Sequence, residues 1–343
     1  MIYINGRFLF QSITGVQRFA KELTVELLNK SDDYKLLALP GTKLVPPFNQ
    51  DNTIIIGPAN SHIWEQVYLP YFLNKQNNPL LINFTGLGPV FYENKIITIH
   101  DLSFWEHPEW FSKKYYWFYR IFTPISARNS KKIITVSEYS KNRIIKNLHQ
   151  NEINIEVVYN AVNYDTIVVH DKQKYILSVG SLDPRKNIER LINSFKKWNH
   201  PDYELLIIGG RQNSFANLNL SSDNKIKFLG YLSDDELHQY YLNAEIFIYP
   251  SLYEGFGIPP LEAMACGTPV IASNTTSIPE ACGDAAYYID PHSEESMVAA
   301  LDVLTNNENL RSELIHKGIE NIKRFSWSES AIKINDVATK LNL

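Results

Sequence analysis

Short apolar runs alternate along this chain with longer stretches in which apolar residues return every three or four positions. Ile2, Tyr3 and Ile4 form the first run, and Val16, Phe19, Ala20, Leu23 and Leu27 then recur on one helix face. Runs at 35–39, 53–57, 80–84, 96–100 and 132–137 predict further strands, with helical periodicity at 111–129 and 137–149. The rhythm restarts near residue 174. Strand-like runs lie at 174–180, 203–209, 226–230, 245–251 and 269–273, and helices are predicted over about 187–198, 233–243 and 258–266. Ser233 with Glu236, and Ser326 with Glu329, have the spacing of a capping box and mark two helix starts. Such alternation predicts an α/β chain of parallel sheets with helices on both faces. The two series predict two doubly wound, Rossmann-like halves, 1–165 and 170–326, joined by a linker within 160–172. Open parallel sheets take ligands at the carboxyl ends of their strands, so chemistry is expected in a cleft between the halves.

Composition narrows the class. Of 343 residues, 44% are hydrophobic and 20% charged, which fits folded domains and not a disordered chain. The net charge of -4 argues against a globally basic nucleic-acid binder. Two cysteines, Cys266 and Cys282, cannot build a disulfide framework and lack metal-ligand spacing, so a reducing cytoplasm is the expected location. The opening MIYINGRFLF turns polar too soon for a signal peptide, and no apolar run approaches the roughly 18 residues of a membrane span.

The densest candidate chemistry lies in 245–273. A predicted strand ends at Ser251, the loop LYEGFG follows, and Ile258-Pro259-Pro260 opens a helix whose first turn tolerates proline. Gly267 suits the C-terminal cap, and Pro269 prevents continuation. A helix begun this way offers the amides of Gly255, Phe256, Gly257 and Ile258 to an anionic or hydroxyl-rich ligand. Glu254 precedes the turn, and Glu262 follows eight residues later. Either glutamate alone reads as a surface residue favoured by the helix dipole. Their combination with Gly-x-Gly and a double proline points to a site.

In LSVGSLDPRKN (177–187) a strand ends at Gly180 and a turn presents Arg185 and Lys186. A guanidinium fork beside a point charge suits a diphosphate, though a lone pair of this kind is also an ordinary solvated feature. Gly15, between the first strand and the first helix, has the place of a phosphate-approach turn. His100 ends a predicted strand and is titratable near neutral pH, with a structural histidine as the alternative. Asp101 beside it is the acceptor-side candidate. The chain has no G-x-x-x-x-G-K-[ST], no G-x-G-x-x-G after a strand, no D-x-D, no H-E-x-x-H and no Cys cluster. ATP-driven phosphoryl transfer, a nicotinamide cofactor and a protein-held metal are therefore not expected.

With SVGSLDPRKN, LGYLSDDEL and PSLYEGFGIPPLEAMACGTPVIASNTTSIPE in its second half, the chain resembles the retaining glycosyltransferases of family 4, which have the GT-B fold. Its first half, with NGRF, TGVQR, HIWEQVYLP, TIHDLSFWEHPEWF and ITVSEYSKN, is similar to a subgroup of bacterial mannosyl- and rhamnosyltransferases of surface polysaccharide assembly. The resemblance implies that Arg185 and Lys186 hold the donor diphosphate, with Gly15 and Gly180 admitting it closely. It implies that Glu262 bonds the nucleotide ribose, and that Glu254 and residues 255–258 meet the donor sugar and phosphate. His100 would lie against the sugar at the reaction centre, making His100, Arg185, Lys186 and Glu254 the catalytic set. The final helix, 327–343, would return to the first domain. The family is usually metal-independent and needs no cofactor beyond the nucleotide sugar. GDP-mannose is the first expectation for the donor, with a dTDP- or GDP-deoxyhexose or a UDP-sugar as alternatives. The acceptor would be a saccharide or lipid-linked saccharide of an O-antigen or capsule-type polymer. Same-face attack and a covalent intermediate both remain open. A non-catalytic GT-B scaffold and a nucleotide-sugar epimerase or hydrolase are the rival classes. The aromatic, basic segment 110–122, with Lys113, Lys114 and Arg120, reads either as an interfacial helix at the inner face of the plasma membrane or as a core helix with a basic edge.

Overall fold

Each sheet grows outward from a central strand and then reverses. The computed structural model describes residues 1–11, 14–58, 61–164, 171–210 and 224–342. Part of the expected linker, including the domain limits at 165 and 170, lies outside the described residues. The chain divides into two units, Met1–Asn160 with Phe325–Leu343, and Ala161–Arg324.

The first unit holds a seven-stranded sheet in the order β3-β2-β1-β4-β5-β6-β7. Its strands are β1 (Ile2–Asn5), β2 (Tyr34–Ala38), β3 (Thr53–Ile55), β4 (Leu81–Asn83), β5 (Lys95–Thr98), β6 (Lys132–Thr135) and β7 (Ile155–Val157). Every pair is parallel, with Tyr3 of β1 registered on Lys35 of β2 and Leu81 of β4. Central strands are buried on both faces, so they read as unbroken apolar runs. Several runs continue past the ladder. The 53–57 run stops pairing at Ile55, and Gly57 turns the chain at φ +69°. Phe19, on helix Gly15–Lys30, meets Phe84, His100 and Trp327 edge-on at 5.9, 5.0 and 6.0 Å. The final helix, Trp327–Leu341, packs on this unit, where Tyr34 Oη donates to Asn335 Oδ1 at 2.9 Å.

The second unit repeats the plan in six strands, ordered β10-β9-β8-β11-β12-β13. They are β8 (Gln173–Val179), β9 (Glu204–Ile208), β10 (Ile226–Gly230), β11 (Ala244–Tyr249), β12 (Val270–Ser273) and β13 (Ala286–Ile289). Ile176, Leu205, Ile207, Ile246, Ile248 and Ile271 form one side of its core. Leu191 and Phe195 of helix Ile188–Trp198, and Met297, Leu301 and Leu304 of helix Glu294–Asn306, form the other. The Ser233 capping box has both arms, with the hydroxyl accepting from the Glu236 amide and the Glu236 carboxylate accepting from Ser233. At the other predicted start, Ser326 Oγ accepts from the Glu329 amide. Strand order reverses between β1 and β4, and again between β8 and β11. In doubly wound sheets the carboxyl ends at such reversals are where ligands bind.

Candidate active site

In the second unit the reversal is flanked by the two loops that sequence reasoning singled out. β8 ends at Val179, and the Gly180 amide donates to Ile208 O at 2.9 Å. Gly209 faces this turn at φ +104°, where a Cβ would sit 2.7 Å from Gly180 O. Only glycine meets both demands. A single 3-10 turn, Pro184–Lys186, then presents Arg185 and Lys186. Asn187 ends that turn in the left-handed region, φ 60°. Its buried amide donates to Pro250 O at 3.0 Å and Pro291 O at 2.7 Å. The Leu252 amide donates to Arg185 O at 2.7 Å, so the loop after β8 is stitched to the loop after β11.

Those stitches bring three charges together. Lys186 Nζ donates to Glu254 Oε1 at 2.5 Å and to Tyr249 Oη at 2.7 Å. The Tyr249 hydroxyl, at the end of β11, donates onward to Glu254 Oε1 at 2.8 Å. Arg185 Nη1 lies 3.9 Å from Glu254 Oε2. Side-chain exposure is 11% for Lys186, 9% for Glu254 and 27% for Arg185, so Arg185 is the cation that reaches solvent. Burial pushes Glu254 up, but Lys186 and Arg185 outweigh it and hold the carboxyl below its usual range. The same burial pulls Lys186 down, and Glu254 is the counter-charge that opposes this. Asp183 Oδ2 lies 3.9 Å from Arg185 Nε, so two cations and two carboxylates meet here.

The loop at 252–257 is shaped by residues that follow it. The Glu254 amide donates to Thr276 Oγ1 at 3.3 Å. Ser277 Oγ donates to the carbonyls of Glu254 and Phe256, at 2.9 and 3.0 Å. Gly257 caps helix Ile258–Ala265 at φ +107°, with proline in its first turn. Gly255, Phe256 and Gly257 are buried and Ile258 is half-buried. Glu262 is buried in a different environment from Glu254, accepting from Tyr241 Oη at 2.9 Å. Burial, then the Glu262 charge, raises the Tyr241 phenol well above its ordinary value, so it stays a donor.

The remaining candidates belong to the first unit. His100 follows β5 and is half-buried, with Nε2 2.9 Å from Phe84 O. A carbonyl only accepts, so Nε2 carries the proton. Burial lowers the His100 pKa, which favours the neutral ring with Nδ1 as an acceptor. Asp101 Oδ1 accepts from Ser103 N and Oγ at 2.8 and 2.6 Å, closing its own turn. Gly15 is exposed and is the first residue of its helix. Among the described residues, no group of three or more His, Cys, Asp or Glu side chains could hold a metal ion. Burial pushes the thiols of Cys266 and Cys282 up to about 12, so both are unreactive at neutral pH. Sequence reasoning missed Tyr249, Asn187 and Tyr241. Asn187 stands directly after PRK and could have been read as its terminator; the two tyrosines look like core.

The 110–122 segment resolves into two faces. Helix Lys113–Arg128 is capped by Ser112 and exposes Lys113, Lys114, Trp117, Phe118 and Ile121. Arg120 is not part of that outer edge, because its guanidinium lies 3.3 Å from the centre of the Trp105 ring. Among the described residues, no helix is long and apolar enough to cross a membrane.

Two families match the sequence. "Glycosyl transferases group 1" matches residues 165–321, and "Glycosyltransferase Family 4" matches 13–166. The O-antigen chain mannosyltransferase RfbU of Salmonella typhimurium is 37% identical over 259 residues, covering 74% of this chain and 72% of its own. O-antigen chain mannosyltransferase B of Escherichia coli is 29% identical over 92% of this chain and 93% of its own. Among solved structures, WaaG, a glycosyltransferase involved in lipopolysaccharide biosynthesis, matches with a TM-score of 0.76 at 15% identity, covering 99% of this chain and 100% of that one. Anabaena Alr3699/HepE, solved with UDP and glucose, matches with a TM-score of 0.73 at 18% identity over 99% of each chain. At these identities the structural likeness is one of fold.

Proposed function

The chain belongs to glycosyltransferase family 4, with its GT-B fold, and from that premise we propose that it moves a hexose, with retention, from GDP-mannose to a saccharide acceptor of a bacterial surface polysaccharide. The observation that carries this reading is the Arg185–Lys186–Glu254–Tyr249 cluster at the strand-order reversal of the second unit. As the bond from the sugar C1 to the phosphate oxygen breaks, negative charge grows on the nucleoside diphosphate. Arg185, reaching solvent at the cluster's edge, meets that charge directly. Lys186, pinned between Glu254 and Tyr249, adds a preorganised positive field, and the amides of residues 255–258, leading into the 258–265 helix, add donors. Glu262 takes the ribose and Glu254 the sugar hydroxyls. His100, with Nδ1 as an acceptor, contributes at the sugar. The acceptor oxygen attacks C1 on the face the diphosphate leaves, and the departing phosphate oxygen takes the acceptor's proton.

Mannose is placed first because two relatives that match across most of this chain are O-antigen mannosyltransferases. A dTDP- or GDP-deoxyhexose or a UDP-sugar is the alternative, and a non-catalytic scaffold is the rival from another class. The reaction is proposed to be metal-independent, since Arg185, Lys186 and the helix amides occupy the role a cation would have. Contact with an anionic membrane is supported by Trp117, Phe118 and Ile121 lying exposed beside Lys113 and Lys114. The test is nucleoside diphosphate release from GDP-mannose, UDP-glucose and dTDP-rhamnose, with and without saccharide acceptors, in excess EDTA. Acceptor-stimulated release from GDP-mannose is expected. Release from UDP-glucose alone would overturn the donor assignment, and no release from any donor would favour the scaffold.

A further inference from the structure

Each unit holds a buried polar network outside the cluster around Arg185. In the first unit, at the ends of β1 and β4, Asn5 Nδ2 donates to Asn83 Oδ1 at 2.6 Å and to Glu65 Oε1 at 2.9 Å. Arg7 Nη1 donates to Glu65 Oε2 at 2.5 Å, so these groups satisfy one another. The second unit's network ends instead on Glu262, which the reading above gives to the donor ribose. Glu262 lies on helix Ile258–Ala265 among Leu261, Ala263, Met264 and Ala265, all buried. A carboxylate in such apolar company needs a donor. Tyr241, on helix Asp234–Asn243, supplies one through its hydroxyl, 2.9 Å from Glu262 Oε2. Tyr241 is itself fully buried, with its ring centre 5.5 Å from that of Phe247. A phenylalanine would fill the same space with no hydroxyl to desolvate, so packing alone does not account for the tyrosine.

The backbone of the same tyrosine is anchored as well. Thr268 Oγ1 donates to Tyr241 O at 2.6 Å. Lys172 Nζ donates to Thr268 Oγ1 at 3.0 Å, to Leu242 O at 2.6 Å and to Cys266 O at 3.4 Å. Leu242 is in the last turn of helix Asp234–Asn243, and Cys266 caps helix Ile258–Ala265. One ammonium and one hydroxyl thereby tie together the carboxyl ends of both helices, where a cation also suits the helix dipoles. Burial pulls Lys172 down to about 8, so it keeps its charge at neutral pH. Tyr241 is thus held at its carbonyl by Thr268, at its ring by Phe247 and at its hydroxyl by Glu262. A carboxylate offers about four lone-pair sites. A bond at Oε2 fixes the orientation of the group and leaves it acceptor capacity for ribose hydroxyls.

We propose that Tyr241 is a positioning residue for the donor ribose: its hydroxyl orients the Glu262 carboxylate, and Thr268 and Lys172 hold Tyr241 in place. The assignment rests on the transferase reading above. The test is calorimetric titration of the full chain with GDP and UDP, each beside its 2′,3′-dideoxy counterpart, which lacks the ribose hydroxyls. Wild type should prefer the ribose form of the nucleotide it binds by about tenfold or more. Tyr241→Phe should cut that preference by about fivefold or more and leave affinity for the dideoxy form within about twofold of wild type. A merely structural tyrosine would weaken both forms alike. Thr268→Val, which matches the side chain in shape, should lower the preference by a smaller factor, and it decides the matter where Tyr241→Phe does not fold. An unchanged preference in the folded variants, or equal weakening of both forms, would overturn the positioning role and leave the transferase reading standing. Equal wild-type affinity for the ribose and dideoxy forms would do the same, because Glu262 would then have no ribose to hold. Binding of neither nucleoside diphosphate by wild type would overturn the transferase reading, and this role with it.

Discussion

Removing both members of the Lys186–Glu254 pair should cost no more than removing either one alone. At 2.5 Å the two charges attract by about 7 kcal/mol at an effective dielectric near 20. Most of that offsets the cost of taking both ions out of water. Lys186→Met leaves Glu254 buried with only Arg185, 3.9 Å away, as a counter-charge. Glu254→Gln leaves a buried ammonium beside Arg185, with only the more exposed Asp183, 3.9 Å from Arg185, as a carboxylate. Each single variant should lose about 3–5 kcal/mol, the usual penalty for an orphaned buried charge. For a unit of this size that is about 10 °C in melting midpoint, at roughly 2–4 °C per kcal/mol. The double variant removes both charges and should recover about half of the summed loss. The assay is a double-mutant cycle by thermal unfolding at neutral pH, following the second unit's transition. Sign gives a second check. Glu254 is depressed, so its contribution is present above the ordinary carboxylate pKa near 4.5 and is lost as pH falls through the lower folded value. Wild type and Glu254→Gln should therefore converge in acid. Strict additivity of the two substitutions, or a gap that does not close in acid, would refute the charged-pair assignment.

Other outcomes follow from the same geometry. Arg185→Ala, which touches Asp183 and Glu254 only at 3.9 Å, should change stability by less than about 1 kcal/mol but cut transfer about 100-fold or more, measured as kcat/KM and melting midpoint. Tyr249→Phe should lose about 2 kcal/mol of stability, because its buried hydroxyl bonds two charged groups, and an unchanged midpoint would remove Tyr249 from the network. Gly209→Ala should destabilise the second unit and raise the donor KM, since a Cβ there meets Gly180 O at 2.7 Å. Lys95 is buried against the carbonyls of Pro89, Val90 and Tyr92, and burial pulls its pKa down to about 7. The unfolded chain then binds the extra proton between pH 7 and about 10, so stability rises with pH in that window, by up to ~1.4 kcal/mol per unit. Urea unfolding at pH 7, 8 and 9 should show this slope, and Lys95→Gln should flatten it.

What the sequence made legible was governed by local periodicity. The parallel strands were readable because burial on both faces leaves continuous runs such as LLINF and EIFIY. β7, three residues of I-E-V directly after a 3-10 turn, is too short to show a period. Helices Glu294–Asn306 and Glu308–Ile322 escaped notice because Asn307 both ends one and caps the next, leaving no turn signal between them. At the site, the residue types were readable and the pairings were not. Lys186 and Glu254 are 68 positions apart, and Asn5 and Asn83 are 78 apart. Only the register of β1 on β4 and of β8 on β11 brings such residues together.

The same strand order thus places opposite chemistry at the two reversals. In the second unit, Lys186 is paired with buried Glu254, and Arg185, the more exposed of the two cations, lies 3.9 Å from both Glu254 and Asp183. That is an arrangement for meeting charge that develops elsewhere. In the first unit, Arg7 faces Glu65, and amides, a hydroxyl and the His62 imidazole surround the pair. Nothing there favours an anion over a neutral molecule. The sheet geometry accounts for where each cluster stands, and the exposure and pairing of its side chains account for what it can meet. The division of labour between the units therefore follows from the side chains at each reversal and not from the shared fold.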